Sequence, residues 1–317
     1  MTINQTKRLN KIIEKINMAK SIAIFTHIGV DPDGLGSMFG LGEFLKSIGK
    51  RVEMLVDSKI DYTASQLFDP SMLSFQPSQD NDLAIFVDCN TAERLGEYAP
   101  YIFSHKNSIR LDHHEGYFKV AKLELTLPFS SCCEAVLMLI ESMGKTPSKK
   151  VATYLLAGLT SDSDMFSTMA TNKNSHFAAA KLLELGADNY AATQVSKSIT
   201  PNQFALYGQI IKNSKVYDDI IISHVTAKEF RALDCDKSAA DIYNNRLIDV
   251  AGMRVSCLIK ELSKNLFRCS LRSRGDDVRA VAQAFSGGGH KCAAACKIKG
   301  SLKQVEEKIL KEIRKNL

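Results

Sequence analysis

The run Asn107-Ser108-Ile109-Arg110-Leu111 is largely apolar, and it ends in the triplet Asp112-His113-His114. This pattern predicts a short buried strand whose carboxyl end carries metal-binding side chains. Two other apolar runs of strand type have the same form, because His27 follows one and Asp88 follows the other. Segments of helical spacing separate these runs. The alternation predicts an α/β fold built on a doubly wound, mainly parallel sheet.

The polar residues after these strands are predicted to lie close together, because ligands of such sheets gather outside the carboxyl ends of the strands. Further carboxylates extend the pattern: Asp31 and Asp33 follow the first strand, and Asp162 follows the stretch 158–161. Each residue alone is explained as readily by a turn or a helix cap, but the whole set favours metal binding. Hard oxygen ligands mixed with imidazole suit Mn, Mg or Fe better than a closed zinc site. The sequence therefore predicts a two-metal hydrolase.

Length and charge both divide the chain in two. At 317 residues it is too long for one ordinary domain. Residues 1–214 contain 21 Lys+Arg and 22 Asp+Glu, whereas residues 215–317 contain 20 and 13. A basic second part fits an anionic substrate held between the two parts, although a solvated basic surface explains the charge equally well. We expect a catalytic metal-binding domain over 1–190, a connector or hinge over 191–214 and a substrate-binding domain over 215–317.

The second half has the pattern of a smaller α/β domain. Its predicted strands lie at 220–225, 253–259 and 266–271. A predicted helix at 276–285 leads into Ser286-Gly287-Gly288-Gly289-His290. The string Ser301-Leu302-Lys303-Gln304 has the form of a capping box and predicts a final amphipathic helix.

Composition indicates a cytoplasmic protein. No run approaches the roughly 18 apolar residues that a membrane span needs, and the stretch from Met1 to Lys7 has no apolar signal core behind it. The eight cysteines show no Cys-x-x-Cys pair or regular spacing, so we expect reduced, mostly buried thiols.

Taken together, these motifs resemble the DHH phosphoesterase family, in the subgroup with a DHHA1 C-terminal domain. Within it the chain is most similar to bacterial proteins of the nanoRNase and pAp-phosphatase type. The resemblance runs from about residue 8 to about residue 312. It rests on the N-terminal motifs above and on two C-terminal motifs, Ser270-Leu271-Arg272-Ser273-Arg274 and Gly287-Gly288-Gly289-His290-Lys291-Cys292-Ala293-Ala294.

The resemblance implies two divalent metal ions, manganese first, with magnesium, iron or cobalt as alternatives. The implied ligands are His27 and Asp31 for one ion, Asp33, His113 and Asp162 for the other, and Asp88 as the bridge between them. His114 would face the scissile phosphate. Asp112 would orient a ligand or a bound water.

The resemblance also implies a phosphate-binding role for the second domain. Arg272, His290 and the backbone amides of Gly287, Gly288 and Gly289 would hold the substrate phosphate, with Arg274 as a weaker candidate. A guanidinium fork and clustered backbone amides are both suited to anions.

The implied activity is hydrolysis of short single-stranded RNA and linear dinucleotides such as pApA to 5′-mononucleotides, together with dephosphorylation of pAp to AMP. Domain closure would restrict the site to short substrates. We expect no bulk duplex nucleic acid and no membrane as partners, and a homodimer is a candidate assembly.

Two alternatives stay open at this point. A manganese-dependent inorganic pyrophosphatase shares the N-terminal motifs, although the 287–290 segment argues against it. A non-catalytic nucleotide-binding regulator would be expected to lack metal ligands, and no expected ligand is missing from this sequence. One departure from the family pattern lies beside the metal site, because the usual Asp-Thr-Gly is replaced by Asp162-Ser163-Asp164.

Overall fold

The computed structural model describes residues 1–78, 81–114 and 119–316. The chain forms two compact units, Met1–Ser198 and Ile199–Leu317. In the described part of the chain, no helix is long and apolar enough to cross a membrane.

The first unit is built on a six-stranded sheet in which all neighbouring strands are parallel. Its strands are β1 Ser21–Phe25, β2 Arg51–Leu55, β3 Leu73–Ser74, β4 Leu83–Val87, β5 Ser108–Asp112 and β6 Leu123–Thr126. The strand order is β3-β2-β1-β4-β5-β6, so the direction of winding reverses between β1 and β4. Ligands of open α/β sheets bind at such a reversal, outside the carboxyl ends of the strands.

Helices cover both faces of this sheet. They are α1 Ile3–Met18, α2 Pro32–Ser47, α3 Tyr62–Ser65, α4 Ala99–Ser104, α5 Cys132–Ser142, α6 Lys149–Asp162, α7 Lys173–Glu184 and α8 Asn189–Lys197. Successive side chains of a strand point to opposite faces, and in β1 Ile22 and Ile24 join one buried apolar cluster whereas Ala23 and Phe25 join another. This two-sided burial explains why the strands are continuous apolar runs, and the predicted doubly wound sheet is confirmed.

Close packing of α2, α5 and α6 connects the core to the polar edge of the sheet. A Cβ atom on Gly158 of α6 would lie 2.8 Å from Oδ1 of Asp33 and 2.3 Å from Sγ of Cys133. Because neither neighbour can move without disturbing a buried helix end, only glycine fits at this position.

The second unit contains a smaller mixed sheet. Its strands are β7 Lys215–Tyr217, β8 Ile220–Val225, β9 Val255–Ser263, β10 Leu266–Ser273, β11 Gly288–His290 and β12 Ala293–Lys299, in the order β11-β12-β10-β9-β8-β7. Only the β8–β9 pair is parallel among the described strand pairs of this sheet. Its helices are α9 Pro201–Lys212, α10 Ala227–Ala232, α11 Asn244–Ile248, α12 Val278–Gln283 and α13 Leu302–Asn316. Apolar clusters cover both faces, and the prediction of a smaller α/β domain is confirmed.

The capping box predicted at residues 301–304 is also present in the structure. The backbone N–H of Ser301 donates to Oε1 of Gln304 (2.9 Å), and the N–H of Gln304 donates to Oγ of Ser301 (3.4 Å), which completes the predicted capping box of α13.

The expected connector at 191–214 is mostly helical, since α8 and α9 occupy it, and the division between the units falls inside it at Ser198. Its role as a hinge stays a prediction.

Candidate metal centre

Seven polar side chains from the sequence motifs meet at the carboxyl edge of the first sheet. Their donor atoms form three groups whose members lie within 4.8 Å of one another: His27, Asp31 and Asp88; Asp33, His113 and Asp162; and Asp88, His113 and His114. The structure therefore brings together all six residues that were predicted as metal ligands. Their assignment to individual ions stays a prediction.

The first group surrounds the imidazole of His27. Its Nδ1 donates to the carbonyl oxygen of Ile28 (3.0 Å), which leaves Nε2 as the ring nitrogen that a cation could bind in place of a proton. Nε2 lies 3.4 Å from Oδ2 of Asp31 and 3.5 Å from Oδ2 of Asp88. Nε2 is buried and has no hydrogen-bond partner in the described structure. A buried, unpartnered nitrogen beside two carboxylates is the environment that a divalent cation would satisfy.

The second group surrounds His113 in the same manner. Its Nε2 lies 3.4 Å from Oδ1 of Asp88, 3.5 Å from Oδ2 of Asp162 and 3.7 Å from Oδ2 of Asp33. Asp88 therefore directs one carboxylate oxygen toward each imidazole. This is the geometry expected of a carboxylate that bridges two ions.

Asp33 is held by the amino end of a helix. Its Oδ2 accepts a hydrogen bond from the backbone N–H of Cys132 (2.7 Å), and its Oδ1 accepts one from the N–H of Cys133 (3.1 Å). Both amides lie in the first turn of α5, where the partial positive charge of the helix favours a carboxylate. Sequence reasoning missed this anchor, because almost any residue type can supply a backbone amide.

Asp112 connects the histidines of the centre to a buried arginine through hydrogen bonds. Its Oδ1 accepts hydrogen bonds from Nδ1 of His114 (2.9 Å) and from the backbone N–H of His113 (2.9 Å). Its Oδ2 accepts from Nη1 of Arg110 (2.8 Å). Asp112 belongs to none of the three donor groups, which agrees with the orienting role expected for it.

Arg110 contacts Asp112 directly, and motif reasoning overlooked it. It is 1% exposed, and its Nη2 donates to Oγ1 of Thr126 (3.1 Å), while Nε lies 3.6 Å from Oε1 of Glu124. A signal was present in the sequence, since a charged residue in the middle of a buried strand requires a buried partner.

The pKa of each ionisable side chain in the centre depends on its charged neighbours. Burial lowers the pKa of His27, but the neighbouring carboxylates of Asp31 and Asp88 outweigh burial and raise it to about 10. The pKa of His113 is raised to about 10 in the same way, with Asp88 as the main partner. Burial opposes ionisation of Asp88, yet the two imidazoles hold its pKa below the usual range.

Two further carboxylates are shifted in the opposite direction. Burial, followed by the charges of Asp88 and Asp162, raises the pKa of Asp33 well above its usual value. Burial, opposed by His113, raises the pKa of Asp162 to about 6. The donor groups contain four carboxylates in total, Asp31, Asp33, Asp88 and Asp162. Two divalent cations would neutralise their full negative charge, so the donor set fits the implied metals.

The second unit gathers the predicted phosphate-binding residues on one row of its sheet. Arg272 on β10 and His290 on β11 both pair with Ala293 of β12, and directly paired residues share one face of a sheet. Gly289 has φ +141°, and a Cβ atom there would lie 2.5 Å from the carbonyl oxygen of Ala293. This close approach explains the glycine.

The two arginines of the motif differ in their surroundings. Arg272 donates from Nε to Oδ1 of Asn245 (3.0 Å) and from Nη1 to the carbonyl oxygen of Leu271 (3.0 Å). Arg274 donates from both Nε and Nη2 to the carbonyl oxygen of Ile248 (3.1 and 3.0 Å). The Arg274 fork is therefore directed at backbone, which suits a structural role better than phosphate binding.

The metal-ligand candidate Asp162 is followed by a left-handed turn. Asp164, Met165 and Phe166 have φ of +45°, +55° and +68°, a conformation that costs a non-glycine residue about 1–2 kcal/mol. Oγ of Ser163 donates to the carbonyl oxygen of Leu159 (2.6 Å) and accepts from the N–H of Phe166 (3.1 Å). These hydrogen bonds hold the turn beside the centre.

We expect Asp164→Gly to be more stable than Asp164→Ala by about 1 kcal/mol, because glycine adopts positive φ without steric cost. Urea unfolding of the two variants measures the difference in free energy. Glu14→Gly and Glu14→Ala provide the control, because Glu14 is an exposed position within α1. There the glycine variant should be the less stable of the two, since alanine favours a helix. Equal stability of the two Asp164 variants would contradict the assigned strain.

The fold and this donor cluster define a two-unit α/β protein with a candidate dinuclear metal centre. Residues 21–159 match the family model for the N-terminal domain of the DHH family, and residues 219–317 match the DHHA1 domain. The chain belongs to the DHH family, with a DHH domain followed by a DHHA1 domain, and the family resemblance inferred from the motifs is confirmed.

Individual relatives share most of the chain. A Mycoplasma genitalium protein named bifunctional oligoribonuclease and PAP phosphatase NrnA is 28% identical over 307 residues, covering 89% of this chain and 91% of its own. A Thermus thermophilus protein of the same name is 25% identical over 308 residues, covering 93% of this chain and 90% of its own. The crystal structure of an exopolyphosphatase-related protein from Bacteroides fragilis superposes with a TM-score of 0.89 over 98% of this chain and 96% of that one, at 23% identity. That structure has the same fold.

Proposed function

We propose that this protein is a two-metal phosphoester hydrolase that acts on short nucleotide substrates. The observation that carries the proposal is the position of Asp88 between the buried imidazole of His27 and the partly buried imidazole of His113, each of which has further carboxylates of its own. The proposed substrates are short single-stranded RNA, linear dinucleotides such as pApA, and pAp. The relatives named as oligoribonucleases and PAP phosphatases support this choice of substrate class.

The proposed metal ligands follow the first two of the three donor groups, with Asp88 shared between them. His27, Asp31 and Asp88 would hold one ion, and Asp33, His113, Asp162 and Asp88 would hold the other, with manganese as the first choice. When bound, such a pair of ions supplies an activated water and stabilises negative charge on phosphoryl oxygens.

Among the residues of this centre, we propose that His114 acts on the substrate phosphate. Its Nδ1–H is committed to Asp112, so Nε2 is the nitrogen that can meet a substrate oxygen. The hydrogen bond to Asp112 fixes the orientation of the ring, and Nε2 of His114 is then the atom that would transfer a proton to or from a phosphoryl or leaving oxygen. Arg110 forms a 2.8 Å ion pair with Asp112 and so holds its carboxylate in place.

The second unit is proposed to bind a substrate phosphate through Arg272, His290 and the amides of residues 287–289. Charge-assisted hydrogen bonds from arginine and from clustered backbone N–H groups are strong and suit phosphate oxygens. Arg272→Ala with His290→Ala is expected to raise KM more than it lowers kcat, because these groups bind substrate without touching the reacting bond. Steady-state kinetics on pAp measures both constants, and an unchanged KM would remove the second unit from substrate binding.

One assay tests the proposed function directly. Purified protein with Mn(II) is compared on pAp, pApA, a five-nucleotide RNA and pyrophosphate. Hydrolysis of the nucleotides without hydrolysis of pyrophosphate is expected. Cleavage of pyrophosphate alone would replace the proposal by a pyrophosphatase, and no cleavage of any substrate would favour the non-catalytic regulator.

Proton competition gives a second test. With pKa values near 10, His27 and His113 are protonated at neutral pH in the metal-free protein, and ions must displace these protons. Affinity for Mn(II) is therefore expected to rise as the pH rises from about 6 to about 9. Calorimetric titration in two buffers of different ionisation enthalpy counts the protons released. An affinity that does not change with pH would exclude these imidazoles as ligands.

A further inference from the structure

A cavity of about 650 Å³ opens on the first unit beside the candidate metal centre. Its volume lies within the range of small-molecule sites, roughly 300–1,000 Å³. The described residues that define its chemistry are Ile28, Asp57, Phe75, Gly96, Glu97 and Tyr101. Neither the metal ligands nor the proposed phosphate-binding row belongs to its lining.

The cavity shares the functional edge of the sheet. Ile28 directly follows the metal-ligand candidate His27, and its N–H donates to the carbonyl oxygen of Arg94 (2.9 Å). Asp57 and Phe75 follow the carboxyl ends of β2 and β3, and β2 lies between β3 and β1 in the sheet. A nucleotide whose phosphate is at the centre therefore has this cavity as a neighbouring space on the same unit.

An aromatic face is available in the cavity. The side chain of Phe75 is 47% exposed, although phenylalanine is normally buried. The hydroxyl of Tyr98 donates to the carbonyl oxygens of Val56 (2.6 Å) and Phe75 (3.1 Å), so the backbone that carries this ring is held in place. Stacking of a nucleic-acid base on an aromatic side chain contributes about 1–3 kcal/mol.

The charged groups of the cavity are acceptors. Its charged lining residues are Asp57 and Glu97, and none of its described lining residues is lysine or arginine. Oδ1 of Asp57 accepts from the N–H of Gly29 (3.1 Å). Two carboxylates repel a phosphate but accept N–H donors, so the cavity is suited to the uncharged, donor-bearing part of a nucleotide.

We propose that this cavity binds the guanine base of a nucleotide substrate, with the ring stacked on Phe75 and its donor edge toward Asp57 and Glu97. Guanine presents a ring N–H and an amino group side by side, which match the two oxygens of a carboxylate. Adenine and cytosine present an amino group next to a ring acceptor, and that acceptor is repelled by a carboxylate. This inference rests on the proposed function, since it assigns the base preference of the same hydrolytic site.

The test compares pGpG with pApA in steady-state kinetics with Mn(II). The wild-type protein is expected to show a KM for pGpG at least about tenfold lower than for pApA, and Phe75→Ala should raise the KM for pGpG about tenfold, which is the loss of one stacked base. Glu97→Gln should reduce the preference for pGpG. Phe103→Ala is the matched control, because Phe103 is 46% exposed on the same unit but lies outside the cavity lining, and it should change neither constant.

Equilibrium binding separates this proposal from the catalytic one. GMP and AMP are titrated by calorimetry into the wild type, Phe75→Ala and Phe103→Ala without added metal. Tighter binding of GMP that is lost only in Phe75→Ala supports the cavity, even if no substrate is turned over and the proposed function fails. Equal affinity for GMP and AMP, or GMP binding that survives Phe75→Ala, would overturn the guanine site while leaving hydrolysis intact.

Discussion

Asp88→Asn is expected to abolish metal-dependent hydrolysis, with kcat reduced by a factor on the order of 10³ or more. Asp88 directs one oxygen toward His27 and the other toward His113. The amide has the same shape but carries no charge, and its NH₂ group cannot bind a cation. The substitution would therefore remove the proposed shared ligand without leaving a cavity.

The loss of activity must be distinguished from unfolding. Asp88 has φ +56°, a conformation that asparagine tolerates, so Asp88→Asn should fold. Asp188→Asn is the matched control, since it removes a carboxylate elsewhere in the same unit and asparagine is an equally good helix cap. Turnover of pAp, Mn(II) binding by calorimetry and urea unfolding are measured on both variants. An Asp88→Asn protein that binds two equivalents of Mn(II) with wild-type affinity would exclude a bridging role.

The location of this centre was predictable from local sequence alone. Short apolar runs that each end in His or Asp predict parallel strands, and parallel strands bring their carboxyl ends to one edge of the sheet. His27, Asp88 and His113 were identified in this way and lie together in the structure. The family resemblance added the assignment of each ligand to one of the two ions, which spacing alone left open and which stays a prediction.

Other features depend on contacts that side-chain types do not encode. Asp33 is anchored by the backbone amides of Cys132 and Cys133, about 100 residues away, and no residue pattern marks such an anchor. Strand β11 consists of Gly288, Gly289 and His290, which have no apolar alternation, so its pairing with β12 could be seen only in three dimensions. Helix α8 packs Ala192 and Val195 into the core of the first unit, a weak apolar signal within a polar stretch.

Arg110→Met is expected to lower the free energy of unfolding by about 3–5 kcal/mol, because it leaves the carboxylate of Asp112 buried without its cation. The side chains of Arg110 and Asp112 are 1% and 0% exposed and form a 2.8 Å ion pair. Methionine retains much of the side-chain length, so the expected loss comes from charge more than from packing. Urea unfolding at neutral pH measures it.

A double substitution separates stability from catalysis. Arg110→Met with Asp112→Asn removes both charges of the pair, so it should recover part of the lost stability, since the carboxylate of Asp112 is then no longer buried without its cation. The recovery should be incomplete, because Glu124 lies 3.6 Å from Nε of Arg110 and also loses this cation. Its kcat on pAp should stay low, because a neutral amide accepts the hydrogen bond from Nδ1 of His114 less strongly than a carboxylate does and therefore orients the ring less firmly. Recovery of stability together with full activity would mean that Asp112 only supports the fold, and unchanged stability of Arg110→Met would show that the ion pair contributes nothing. The expected result makes Arg110 the residue that positions Asp112 to hold the ring of His114.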